Sequence, residues 1–93
     1  MVIGVLTLEI SIDGAFSLKE KRVIVNRVRD RVRNTFNVAI AEVDDQDVWN
    51  HACMAVVAVS NEQAHTNAVL SKVAEFVQRI RDCELEDYSI EFI

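Results

Sequence analysis

Val2-Ile-Gly-Val-Leu-Thr-Leu-Glu-Ile-Ser-Ile12, then Asp13-Gly14, then Ser17-Leu-Lys-Glu20, is the stretch on which the fold turns. Leu6, Leu8, Ile10 and Ile12 alternate with Val5, Thr7, Glu9 and Ser11, the period of two expected of a strand with one buried face. Asp13-Gly14 interrupts the alternation. Ser17 and Glu20 then have the spacing of a capping box, in which the serine accepts from first-turn amides and the glutamate reaches back. Beyond them Leu18, Ile24, Val25, Val28 and Val32 recur at helical spacing, predicting a helix that ends near Asn34.

The same succession of strand, capping box and helix recurs in the second half. Phe36 to Val43 alternates, with Phe36, Val38 and Ile40 on one side. A polar turn, Asp44-Asp45-Gln46-Asp47, leads into a third strand running from Val48 or Trp49 to Val59. Ser60-Asn-Glu-Gln63 repeats the capping-box pattern, and the helix after it is predicted to bury Val69, Val73, Phe76, Val77 and Ile80. After the mixed stretch Asp82 to Asp87, Tyr88, Ile90 and Phe92 alternate as a last strand. With right-handed crossovers, this order predicts a ferredoxin-like βαββαβ sandwich of the α/β (α+β) class. It has a four-stranded antiparallel sheet, strands one and three central, with two helices on one face. Residues 1–93 read as a single such domain, with the first loop, the start of helix one and the acidic turn at one end of the sheet.

Composition narrows the function classes. The chain is 51% apolar and 27% charged, ordinary values for a folded protein and unlike those of disordered chains. The longest uncharged apolar run, Ala52–Val59, has eight residues, too few to span a bilayer, and the first residues lack the basic flank of a secretory signal. Cys53 and Cys83, without a C-x-x-C motif, read as free thiols in a reducing cytoplasm. The net charge of −5 is unevenly spread: Lys19 to Arg33 carries +5, through Lys19, Lys21, Arg22, Arg27, Arg29, Arg31 and Arg33, and the remainder carries −10. One helix therefore holds most of the positive charge.

Ser17-Leu-Lys-Glu-Lys-Arg22, Phe36-Asn-Val-Ala-Ile-Ala-Glu42, Asp47-x-Trp49 and Val59-Ser60 together resemble the YlxP-like family of small bacterial proteins. The likeness covers essentially the whole chain. It implies the ferredoxin-like fold already reached from the periodicity and implies no defined activity. The family's members are often encoded near translation and ribosome-maturation factors, so the resemblance implies a translation context.

The basic helix is the main candidate surface. At 100° per residue Arg22, Arg29 and Arg33 form one stripe beside the apolar arc, and Arg27 and Arg31 form a second ridge on the opposite shoulder. Such ridges grip phosphates, pair with acids of the same chain, or dock on an acidic protein. Lys21 falls inside the apolar arc, which leaves it two roles: an ion pair with Glu42 or the turn aspartates, or an anion site with Lys19 and Arg22 at the helix N-terminus. The residues predicted to contact nucleic acid or another anion are thus Lys19, Lys21, Arg22, Arg29 and Arg33.

Other constellations carry less. The acidic group Glu42, Asp44, Asp45 and Asp47 lacks the glycine and ligand spacing of a calcium loop. His51 and Cys53 share a strand face but need a further ligand that no spacing supplies, so no metal or other cofactor is predicted. Trp49 is expected to cap the core, His65 to lie at the surface or rim, and Cys83 to pack beyond a helix end. Phosphate-loop, C-x-x-C and catalytic-triad templates all fail at their motifs, and no enzyme is predicted. Ala52–Val59 is apolar on both faces, and Val5 adds to the outer one, predicting a homodimer that covers the open face of the sheet. The function expected is a cytoplasmic binding module for structured RNA or a ribosomal particle, or alternatively an assembly module that docks an acidic protein.

Overall fold

A computed structural model describes residues Met1–Ile93. The elements run β1 (Val2–Ser11), α1 (Leu18–Thr35), β2 (Ala39–Asp44), β3 (His51–Ser60), α2 (Gln63–Val77) and β4 (Glu84–Phe92). The sheet order is β2-β3-β1-β4, every neighbouring pair antiparallel, with β3 and β1 central. This is the ferredoxin-like βαββαβ topology that the periodicity predicts. Leu6, Leu8 and Ile10 of β1 lie opposite Val56, Met54 and Ala52 of β3, and all six are buried beneath the helices. Ile24, Val25, Val28 and Val32 of α1 complete that layer with Leu70, Val73, Ala74 and Val77 of α2.

Local chemistry explains the first helix closely. Ser17 Oγ accepts from the Glu20 amide at 3.2 Å, and the Glu20 carboxylate accepts from the Phe16 amide at 3.4 Å. The reciprocal cap therefore forms, one residue further back than the ideal box. The second cap differs from expectation. Ser60 remains the last residue of β3, the helix is capped by Glu62 without a side-chain bond, and Ser60 Oγ instead meets the Glu62 amide at 3.1 Å and Thr66 Oγ1 at 2.6 Å. That bond draws Thr66 inward, so the buried face of α2 is Thr66, Leu70, Val73, Ala74 and Val77. Val69 and Phe76 are left half-buried at the rim, and Ile80 is buried only after the helix has ended.

The strand limits also shift where pairing overrides alternation. β2 starts at Ala39, although Phe36 and Val38 do pack against the core edge. β3 starts at His51, where pairing with Ser11 of β1 begins. β4 reaches back to Glu84, and its acids line an edge that charge keeps from pairing with other sheets. Two register shifts interrupt the ladders: one lies between Glu9 and Ile10 on the β4 side, the other between Glu42 and Asp44 against β3.

Gly4 is where α2 approaches the sheet most closely. A Cβ there would lie 2.7 Å from Thr66 Cγ2 and 2.8 Å from Leu70 Cδ1, and Thr66 is a stiff β-branched residue already held by Ser60. Gly4→Ala is expected to lower unfolding stability by about 1–3 kcal/mol through overpacking, read from the midpoint of urea denaturation.

Candidate functional site

The two ridges of α1 have different fates. On the inner shoulder Arg27 donates to Asp82 Oδ2 at 3.1 Å and to the Arg81 carbonyl at 3.3 Å, and the Arg31 guanidinium lies 5.6 Å from the centre of the Phe76 ring. Phe76 in turn stands edge-on to Phe36, with ring centres 5.5 Å apart. That ridge serves internal packing and pairing. On the outer stripe Lys19, Arg22 and Arg33 are exposed and enter no ion pair, while Arg29 pairs only with its exposed neighbour Asp30, at 3.0 Å. Arg22 to Arg33 extends about 16 Å along the helix at 1.5 Å per residue.

Lys21 turns the other way. It is 1% exposed, and its Nζ donates to the Asp45 carbonyl at 2.6 Å and lies 2.9 Å from Glu42 Oε2. The contact with Glu42 is coulombic, off the angle of a hydrogen bond. Of the two roles its position allowed, the internal ion pair is the one formed. The ammonium is held beneath the sheet, apart from the outer stripe.

Trp49 does not cap the core. It is 44% exposed and stacks on Phe16, itself 79% exposed, with ring centres 6.3 Å apart and planes at 29°. Phe16 precedes the cap of α1 and Trp49 lies in the β2–β3 turn, so the pair joins these two loops beside the first turn of the basic helix. At the opposite end a cavity of about 230 Å³ is lined by Thr35, Phe36, Asn37, Val59, His65 and Thr66. It is smaller than the roughly 300–1,000 Å³ usual for ligand pockets. His65 sits at its exposed rim, as expected, and Cys83 packs against the core edge.

His51 is the centre of a cluster that sequence spacing did not reveal. Its Nδ1 lies 2.8 Å from Asp45 Oδ2, and its Nε2 lies 3.2 Å from Glu9 Oε2 and 3.5 Å from Glu86 Oε1. Glu9 arrives on the neighbouring strand, while Glu86 is the residue left over in β4 where Leu85 pairs with Ile10 and Asp87 with Glu9. The left-handed backbone of Asp45, at φ 62°, turns its carboxylate onto the ring. Cys53 shares this face. Burial pushes its thiol up to about 11, with a hydrogen bond to Glu9 adding to the effect. Burial likewise raises Cys83, against the lowering influence of Arg27.

The family profile described as "Protein of unknown function (DUF503)" matches residues 3–90. The chain belongs to this family. It is 37% identical over 83 residues to "Uncharacterized protein YlxP" of Bacillus subtilis (strain 168), which covers 89% of this chain and 90% of the relative. Among solved structures, a de novo designed protein with a ferredoxin fold superposes with a TM-score of 0.55 at 16% identity, over 100% of this chain and 84% of the other. A C-terminal segment of the alpha subunit of aIF2 from Pyrococcus abyssi gives a TM-score of 0.50 at 17% identity, over 97% of this chain and 48% of that one. These likenesses establish family and fold. No helix of this DUF503 chain is long and apolar enough to cross a membrane.

Lys21→Met keeps the stem volume and removes the charge, leaving the Glu42 carboxylate largely buried and unpaired. It is expected to cost about 3 kcal/mol in urea unfolding, and the double variant Lys21→Met/Glu42→Leu to recover most of that loss.

Proposed function

We propose that this chain is a small cytoplasmic binding module that holds structured RNA or a ribosomal particle through the outer stripe of α1. One observation carries the reading: Lys19, Arg22 and Arg33 stand exposed on one helix face without internal acid partners, with Arg29 between them. Charges left unpaired in a chain with five more acidic than basic residues are available to an external anion. Side chains spaced along such a stripe contact phosphates and set orientation without reading bases. Lys21 supports the stripe from below by fixing the first turn of α1 to β2 and its turn. The two free cysteines agree with a reducing compartment.

The test is fluorescence anisotropy of labelled ribosomal RNA fragments at several salt concentrations. Micromolar or tighter binding with a steep negative salt dependence is expected. Replacing Arg22, Arg29 and Arg33 together by alanine should weaken it at least tenfold and flatten the slope of log affinity against log salt by about three. Unchanged binding by the triple variant overturns the reading. Co-purification of a partner that survives RNase transfers the stripe to an acidic protein.

A second observation favours self-association. On the open face of the sheet Val57 lies between Val5 and Ala39, Ala55 lies between Thr7 and Ala41, and Val59 is 64% exposed beyond them. A second copy related by a twofold axis would cover this apolar strip with the same strip. Light scattering at micromolar concentration should then give about twice 10.5 kDa, and Val57→Glu should halve it. A single 10.5 kDa species for the unaltered chain excludes the dimer.

A further inference from the structure

We infer that His51, Glu9 and Glu86 form a binding site for one divalent first-row transition-metal ion, with Asp45 orienting the imidazole. The proposal is independent of the basic helix. Three carboxylates converge on a single imidazole here, and Asp87, paired with Glu9 across the ladder, adds a fourth acid to the same face. Lys21, which reaches the same turn, is committed to Glu42 and to the Asp45 carbonyl beneath the sheet. The cluster therefore holds more negative charge than its imidazole can balance, even when protonated.

The distances from His51 Nε2 are close to those of a chelate. Donor atoms bound to a small divalent ion at about 2.1 Å stand roughly 3.0–3.4 Å from one another. Nε2 of His51 lies 3.2 Å from Glu9 Oε2 and 3.5 Å from Glu86 Oε1, so an ion at Nε2 meets Glu9 directly and takes Glu86 as a ligand once that exposed side chain rotates onto it. The other ring nitrogen is already engaged. Nδ1 lies 2.8 Å from Asp45 Oδ2, the carboxylate–imidazole contact that fixes the tautomer of metal-bound histidines and directs Nε2 outward. One atom each from Glu9, Asp45 and His51 also falls within 4.8 Å of the other two. In the bound state the ion replaces any proton on Nε2, which leaves to solvent, and no redox change is involved. One imidazole and two carboxylates suit zinc, manganese or iron(II) better than calcium, which prefers six to eight oxygen ligands.

The direct test is a Zn²⁺ titration of the chelator-stripped full chain, followed by calorimetry and by the imidazole ¹⁵N resonances of His51. The expected result is 1:1 binding at micromolar affinity with a large shift at Nε2. Glu9→Gln/Glu86→Gln, two isosteric changes at the half-buried Glu9 and the exposed Glu86, should weaken binding at least tenfold, and Asp45→Asn about tenfold. His65→Ala should leave it unchanged. The proposal is overturned by the absence of saturable binding at 1 mM Zn²⁺, by an affinity that the Glu9→Gln/Glu86→Gln variant retains within threefold, or by loss of binding in His65→Ala alone.

Discussion

A lysine ammonium enclosed beneath the sheet is tolerable only with acceptors fixed around it, and much of this molecule is arranged by that requirement. Lys21 belongs to the first turn of α1, Glu42 to β2, and the Asp45 carbonyl to the turn that leads into β3. Their convergence locks the start of the helix, the edge strand and the turn into one unit. The Asp45 backbone must place its carbonyl inward for the lysine, and at a φ of 62° its carboxylate then faces the opposite side, toward His51. A constraint imposed inside the core thus shapes a cluster on the outer face. Aspartate is suited to the position, since its short polar side chain tolerates the left-handed region better than most residues.

The same layering separates the charges. The basic stripe rides on the helical layer, whereas Glu9, Glu86 and Asp87 gather at the sheet's other face and edge. About 10 Å of packed side chains lies between the layers, comparable with the screening length of about 8 Å at physiological salt. A phosphate placed at α1 under the proposed function would therefore respond mainly to the local arginines. The net charge of −5 is compatible with the proposed role of α1 because Lys19, Arg22 and Arg33 stay free of the acids that pair with Lys21, Arg27 and Arg29.

The topology was legible because period two and period 3.6 alternate along the chain with few ambiguous stretches. Ser17 and Glu20 announced α1 through interactions confined to four residues. Ser60 and Gln63 had the same spacing, but Thr66 competed for the serine hydroxyl, and so α2 rotated to bury Thr66 and Leu70 in place of Val69 and Phe76. The angular position of Lys21 within the apolar arc did signal an internal partner, left open between Glu42 and the turn aspartates, and the structure supplies Glu42 together with the Asp45 carbonyl. Trp49 misled because a lone tryptophan beside a strand normally packs inward, whereas here Phe16 meets it outside the core. Glu9 and Glu86 could not be joined to His51 from the sequence, since their meeting depends on the register of three strands.

The register itself follows from the core. With unbroken alternation in β4, Tyr88 opposite Leu8 would place Glu86 opposite Ile10, beneath the helices, and send Leu85 to the outer face. Burying that carboxylate without a partner would cost several kcal/mol. Inserting one residue restores Leu85 to Ile10 and expels Glu86. β2 solves the same problem: Val43 is passed over so that Asp44 pairs with Cys53 on the outer face and Glu42 stays beneath, facing Lys21. Core burial accounts for where both bulges fall. It does not account for the side chain at 86, because any polar residue expelled there would satisfy the packing equally. A third carboxylate at that position increases repulsion around an already acid-rich imidazole, a cost the core does not require and a bound cation would remove.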